Sequence, residues 1–313
     1  MGDRIVIALG GNALQTVDGS PTFESQMKAC QQTAEKIAEL LEKNYELIIT
    51  HGNGPQVGNI VIQNEISNSS RTPSMPLHVC GAMSQGEIGY WLQQSILNEI
   101  YTKNINKSVC TIISQVVVDE NDKAFESPSK PIGPFYNEIE AKKISDEKGY
   151  IMKEDAGRGW RRVVASPVPV DLVEKDAIRL LINEGIVTIV GGGGGIPVVK
   201  EDNRIKGVSA VIDKDLTSEM IAEMIDADIL LILTAVDNVS INFNKPNQQP
   251  IYSMNIDDAK RYIKEGQFAP GSMLPKIKAA IKFVTSKRGR KCIITSLEKA
   301  VNAIEGKSGT LIS

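Results

Sequence analysis

Short apolar runs recur along the chain, and each gives way at once to small or polar turn residues. Ile5-Val6-Ile7-Ala8-Leu9 runs into Gly10-Gly11-Asn12-Ala13, and Leu47-Ile48-Ile49-Thr50 into His51-Gly52-Asn53-Gly54-Pro55. Ile186-Val187-Thr188-Ile189-Val190 runs into the glycines at 191–195. Continuous runs of this kind predict strands buried on both faces. Ile229–Thr234 and Val109–Val118 predict two more, and Val208–Ile212 is strand-like. Between them the spacing predicts helices over Glu24–Asn44 (Ile37, Leu40 and Leu41 in helical rhythm), about Gly86–Tyr101, Val173–Asn183, Asp215–Ile225 and roughly Pro275–Thr285. Strand and helix alternate over most of the length, which predicts an α/β fold with a mostly parallel sheet covered on both faces.

The rhythm breaks at Asp119. From there to about Ala165 the chain is rich in charge, proline and glycine, with Pro128, Pro131, Gly133, Pro134, Gly149, Gly157 and Gly159. A structureless loop of this length is improbable inside a compact domain. Two readings fit: a flexible surface insertion, or a small ordered lobe with its own hairpin and helix. Phe135, Tyr136 and Trp160 supply apolar anchors and favour the second. The organisation expected is one domain over residues 1–313 with a protruding lid subdomain at about 119–165.

Composition narrows the classes of function. The net charge of −3 offers no basic excess for nucleic acid, and 5% aromatic residues leave little for stacking bases. No apolar run approaches a membrane span, and Ile5–Leu9 is too short for a signal-peptide core. Cys30, Cys80, Cys110 and Cys292 are not spaced as a zinc or redox pair, so a cytoplasmic protein with reduced thiols is expected. His51 and His78 read as local hydrogen-bonding residues rather than metal ligands.

Glycine turns beyond strand ends let backbone N–H groups surround an anion, because no Cβ blocks the approach. Their repetition points to a compact, highly charged ligand such as a phosphoryl group. Gly306-Lys307-Ser308 fails as a P-loop because the required first glycine falls on Val301, and Gly52–Gly58 lacks the dinucleotide spacing. Asp213-Lys214-Asp215 follows a strand-like run and opens a helix. An ammonium between two carboxylates stays charged and in place, as phosphoryl transfer requires. The alternative reading is a helix cap beside a solvated lysine. Gly271-Ser272-Met273-Leu274-Pro275-Lys276 opens another helix, where Lys276 adds charge to a positive dipole end, or else belongs to a solvated basic face. Lys130 sits between prolines in the excursion.

Taken together, these segments closely resemble the carbamate kinase branch of the amino acid kinase family. The resemblance runs through Ala8–Leu14, His51–Gly58, Pro76–Gly86, Lys130–Gly133, Glu154–Val164, Gly192–Pro197, Val211–Leu216 and Gly271–Lys276, in order and over the whole chain. It implies a three-layer αβα sandwich with a mostly parallel open sheet, a protruding subdomain over the active site, and a homodimer. It implies reversible, Mg²⁺-dependent transfer between ATP plus carbamate and ADP plus carbamoyl phosphate, commonly run toward ATP in arginine fermentation. Lys130, Lys214 and Lys276 then correspond to lysines around the transferred group, and Asp215 to their organiser. Gly10, Gly11, Asn12, Gly52 and Asn53 correspond to the carbamate and phosphate cradle. Asp213, Ala235, Val236, Asp237, Phe243 and Met273 correspond to the nucleotide side. Mg²⁺ is expected on the nucleotide phosphates, with no protein metal ligand. Ala165 stands where the family commonly has proline, which would loosen one end of the subdomain. Another small-carboxylate or nucleotide kinase of the family, or a non-catalytic nucleotide-binding regulator, is the alternative.

Overall fold

A computed structural model describes residues 2–15, 19–155 and 157–313, with the backbone alone at Asn12. Its principal sheet has eight strands: β1 (Arg4–Leu9), β2 (Glu46–His51), β3 (Val109–Thr111), β4 (Val187–Ile189), β5 (Ile229–Thr234), β6 (Ser253–Met254), β7 (Lys291–Ser296) and β8 (Thr310–Ile312). Their order across the sheet is β6-β8-β7-β5-β1-β2-β4-β3. From β7 to β3 every pairing is parallel, and β8 joins β7 antiparallel.

The period of two in a strand divides each apolar run between two cores. Val6, Ala8, Ile48, Leu230, Ile232 and Ile294 face one side with Met220, Ile221, Ile277, Ala280 and Phe283. Those partners lie on the helices Lys214–Met224 and Met273–Ser286. Ile5, Ile7, Leu9, Leu47, Ile49 and Leu231 face the other with Cys30, Ile37, Leu40, Ile88, Trp91, Leu92 and Ile96. These come from the helices Phe23–Leu41 and Leu77–Thr102. Helices on both faces of a mostly parallel sheet make the three-layer sandwich that the sequence predicted.

Three expectations need correction. The helix expected from Gly86 begins at Leu77, directly after Pro76, whose missing N–H is harmless at a helix start. Val109–Val118 is two strands in two sheets, β3 and Gln115–Val118, because the Gln85 amide takes the backbone between them. Its Oε1 accepts from Ser114 N at 2.8 Å and its Nε2 donates to Ser114 O at 3.1 Å. Val208–Ile212 forms no ladder: Val208 N donates to Pro197 O at 3.0 Å and Val211 N to Ala165 O at 2.9 Å. That last bond, with the Ala165–Ala210 bridge, ties down the position where proline is missing.

A second sheet orders Arg204–Gly207, Ile196–Glu201, Gln115–Val118 and Pro169–Leu172. Beyond it, Lys130–Tyr136, Trp160–Val164 and Met152–Glu154 form a three-stranded antiparallel sheet. The helix Glu138–Lys148 belongs to this small unit, opened by an Asn137–Glu140 capping box and ended by Gly149 at φ 66°. Among the described residues no helix is long and apolar enough to cross a membrane.

Candidate active site

The site forms where β1, β2, β4 and β5 end, at the carboxyl edge of the sheet where open α/β folds place their ligands. β1 runs into the turn Gly11–Ala13. Gly10 is packed against β5 so closely that a Cβ there would lie 2.6 Å from Leu233 O. Gly52 N donates to Leu9 O at 3.2 Å, which sets the β2 turn beside the β1 turn. Gly10, Gly11, Gly52 and Asn53 are therefore neighbours. The backbone of Asn12 shares their turn, and its side chain lies outside the described residues.

The glycines at 191–195 behave differently from the other turns. All five are buried, and they form a floor beneath the cradle rather than an open anion loop. A Cβ at Gly193, whose φ is +65°, would fall 2.2 Å from Asn53 Nδ2. A Cβ at Gly192 would fall 2.4 Å from His51 Nε2. Above this floor Asn53 Nδ2 donates to Ser84 Oγ at 2.9 Å, while His51 Nδ1 meets Gly52 O at 2.8 Å. Burial, opposed by the Gly52 hydrogen bond and reinforced by Lys214, lowers the His51 pKa to about 4. His51 is thus neutral at physiological pH, and its Nδ1–H donates to Gly52 O. Sequence reasoning had placed His51 only as a local hydrogen-bonding residue; its contact with Gly192 arises between strands far apart in the chain.

The charged centre is built from two helix starts. Asp213 caps the helix Lys214–Met224, its Oδ1 accepting from Asp215 N at 2.9 Å. Asp215 is only 3% exposed. Its Oδ1 accepts from Lys214 Nζ at 2.7 Å and its Oδ2 from Lys276 Nζ at 2.8 Å. Burial alone would push this carboxyl up, but the two ammonium groups hold it far below the usual carboxylate range. Lys214 is displaced downward by burial, with Asp215 opposing. The Lys214 and Lys276 side chains remain 14% and 11% exposed. A third lysine, Lys130 on the small sheet, reaches Asp213 Oδ2 at 2.6 Å.

Next to this centre lies a cavity of about 400 Å³, lined by Ala235, Val236, Phe243, Met273 and Lys276 among others. Its volume falls within the range of small-molecule sites. Of the residues assigned to the nucleotide side, two do not line it. Asp213 is turned to Lys130 and the helix cap. Asp237 is exposed and accepts from Ser296 Oγ at 2.5 Å. Sequence reasoning missed Gln267 and Phe268, which the fold brings into the lining. Gln267 Oε1 accepts from Asn242 N at 2.9 Å, which joins two segments of the cavity wall. No local pattern marks Gln267, since its role depends on a loop 25 residues away in the chain.

The two compartments meet at Asp215. Lys214 lies against the cradle, its Cδ 3.6 Å from where a Gly52 Cβ would be, and Lys276 lines the cavity. Glycine turns at the strand ends, a lysine–aspartate–lysine centre and an adjoining cavity thus meet at one edge of the sandwich. Residues 3–296 match the amino acid kinase family, and the chain belongs to that family. It is 53% identical to carbamate kinase from Clostridium perfringens, with 99% of each chain covered. It is 49% identical to carbamate kinase from Pyrococcus horikoshii over 100% of both. The solved carbamate kinase from Giardia lamblia bound to AMP-PNP superposes with a TM-score of 0.91 at 44% identity, covering 99% of this chain and 98% of that one.

Proposed function

We propose that the chain is a carbamate kinase, catalysing reversible phosphoryl transfer between ATP plus carbamate and ADP plus carbamoyl phosphate. One observation carries the reading: Asp215 joins a lysine of the cradle to a lysine of the cavity, at 2.7 and 2.8 Å. Full-length similarity to carbamate kinases selects the acceptor.

Carbamate binds through backbone N–H groups at Gly10, Gly11 and Asn53, with Gly52, whose own N–H is bonded to Leu9 O, leaving the cradle open for lack of a Cβ, and the nucleotide occupies the cavity beside Met273 and Phe243. The transferred group then lies beside the ammonium groups of Lys214 and Lys276. Carbamate is already an anion, so its oxygen attacks without a general base. The loose transition state needs alignment and positive charge, which the two lysines supply. Asp215 holds both lysines before substrate arrives, so little reorganisation accompanies the reaction. Lys130 brings a third positive charge from the 119–165 segment, which acts as a lid subdomain on the single kinase domain.

Mg²⁺ enters as part of the nucleotide substrate. Both Asp215 oxygens are engaged by lysines. The ion's preference for retaining water suits binding through phosphates. The enzyme works in the cytoplasm, in keeping with four free cysteines. It acts as a homodimer, in keeping with Met83 and Tyr90, exposed on the helix Leu77–Thr102. The ATP-forming direction fits arginine fermentation.

The test is purified protein with ADP, Mg²⁺ and fresh carbamoyl phosphate, with ATP read by a coupled assay. Rapid ATP formation that disappears in Lys214→Ala is expected. Protein that binds ADP yet forms no ATP would sink the assignment.

A further inference from the structure

The helix Gly54–Ile66 connects two regions that are far apart in function. Its first turn follows the cradle residues Gly52 and Asn53, and its last turn carries Glu65. The lid grips Glu65 from three sides. Tyr150 OH donates to its Oε1 at 2.6 Å, Lys148 at the end of the lid helix bonds its Oε2, and Arg162 NH1 lies 3.8 Å from Oε1. The Arg162 guanidinium also stacks on the Tyr150 ring at 3.6 Å from the centroid, which locks the donors relative to one another.

Two further features make this contact rigid. Glycine at position 58 lets the lid backbone approach the helix, since a Cβ there would lie 2.7 Å from Gly133 Cα. In the lid ladder Arg162 pairs with Ile132, while Lys130 pairs with Val164. Arg162 and Lys130 therefore belong to the same pair of strands, one repeat of the pleat apart. Whatever fixes Arg162 against the helix also fixes where Lys130 reaches.

We infer that Glu65 is a positioning residue: it latches the lid onto the cradle helix and so places Lys130 at the phosphoryl site. Glu65 touches no reacting group. Its effect is exerted through Lys148, Tyr150 and Arg162, and its carboxyl is held below its ordinary range, burial being outweighed by the Lys148 and Tyr150 bonds. The kinetic part of this inference rests on the carbamate kinase reading; the latch itself does not.

The experiment compares wild type with Glu65→Gln and Tyr150→Phe by hydrogen exchange and by the ATP-forming assay. In Glu65→Gln, amides of Lys130–Tyr136 and Glu138–Lys148 are expected to exchange about ten-fold faster, with β1 and β2 unchanged. The same variant should lose about ten-fold in kcat with KM for ADP changed less than two-fold, because the nucleotide cavity is untouched. Tyr150→Phe, which keeps the ring under Arg162, should shift both readouts in the same direction by a smaller factor. Unchanged lid exchange in both variants would overturn the latch. Faster lid exchange with unchanged kcat would overturn its role in placing Lys130. If wild type forms no ATP, the function assignment fails, while hydrogen exchange still decides the latch.

Discussion

Lys276 reaches from its own helix to Asp215 Oδ2, 61 residues away in sequence, and the two atoms are 2.8 Å apart with the carboxylate buried. Because Lys214 holds the other oxygen, one carboxylate sets the separation of the two ammonium groups. Removing either partner of a buried ion pair leaves an uncompensated charge, so these residues are energetically as well as chemically coupled.

Lys214→Ala and Lys276→Ala are each expected to lower kcat roughly a hundred- to a thousand-fold, the usual loss when one stabiliser of transition-state charge is removed. Asp215→Asn should fall in the same range, since it keeps the shape but releases both lysines. Steady-state ATP formation, with circular dichroism to verify folding, measures this. Turnover within two-fold of wild type in a folded Lys214→Ala would remove that lysine from the mechanism.

Filling the cavity separates nucleotide binding from chemistry at the cradle. Ala235→Trp projects an indole into a space of about 400 Å³ beside Met273 and Phe243. KM for ADP should rise about ten-fold or more, while KM for carbamoyl phosphate stays near its wild-type value. Isothermal titration with ADP gives the binding change directly, and unaltered ADP affinity would place the nucleotide elsewhere.

Gly193→Ala tests the floor beneath the cradle. The residue has φ +65°, and its new methyl would meet Asn53 Nδ2 at 2.2 Å. Strain and overpacking together should cost about 3 kcal/mol, visible as a melting temperature several degrees lower. KM for carbamoyl phosphate should rise as well, since Asn53 must move. A melting curve superimposable on wild type would show that the floor yields freely.

His51 gives stability a specific pH dependence. Its pKa falls from 6.5 when unfolded to about 4 in the fold, chiefly through burial. Below pH 6.5 the unfolded chain binds a proton that the native state refuses, so stability falls with decreasing pH until about pH 4. The full effect is about 3 kcal/mol. Denaturant unfolding of wild type and His51→Gln between these limits should show a shallower acid slope in the variant. Parallel slopes would mean that His51 already takes its proton within the fold.

Most of the framework was legible in sequence because it rests on local periodicity. Ile5–Leu9 and Ile229–Thr234 read as strands since both of their faces are buried, and the helix carrying Ile37, Leu40 and Leu41 shows a single apolar stripe. The break at Asp119 was visible as a loss of that periodicity. The split between β3 and Gln115–Val118 was not, because Gln85, remote in the chain, takes the intervening backbone hydrogen bonds.

The site divides along the same line. By itself the sequence determined the residue types at the strand ends and helix starts: glycine in the turns beyond the strands, and Asp213-Lys214-Asp215 where a helix begins. Local pattern left open whether Lys214, Lys276 and Lys130 were solvated or gathered. Only tertiary structure decided that Lys214 and Lys276 share Asp215, that the glycines at 191–195 support His51 and Asn53, and that Asp213 faces Lys130 rather than the cavity beside Met273. The reason is physical: hydrophobic period and turn preference act over a few residues, whereas charge pairing and close packing depend on which distant segments the sheet order brings together.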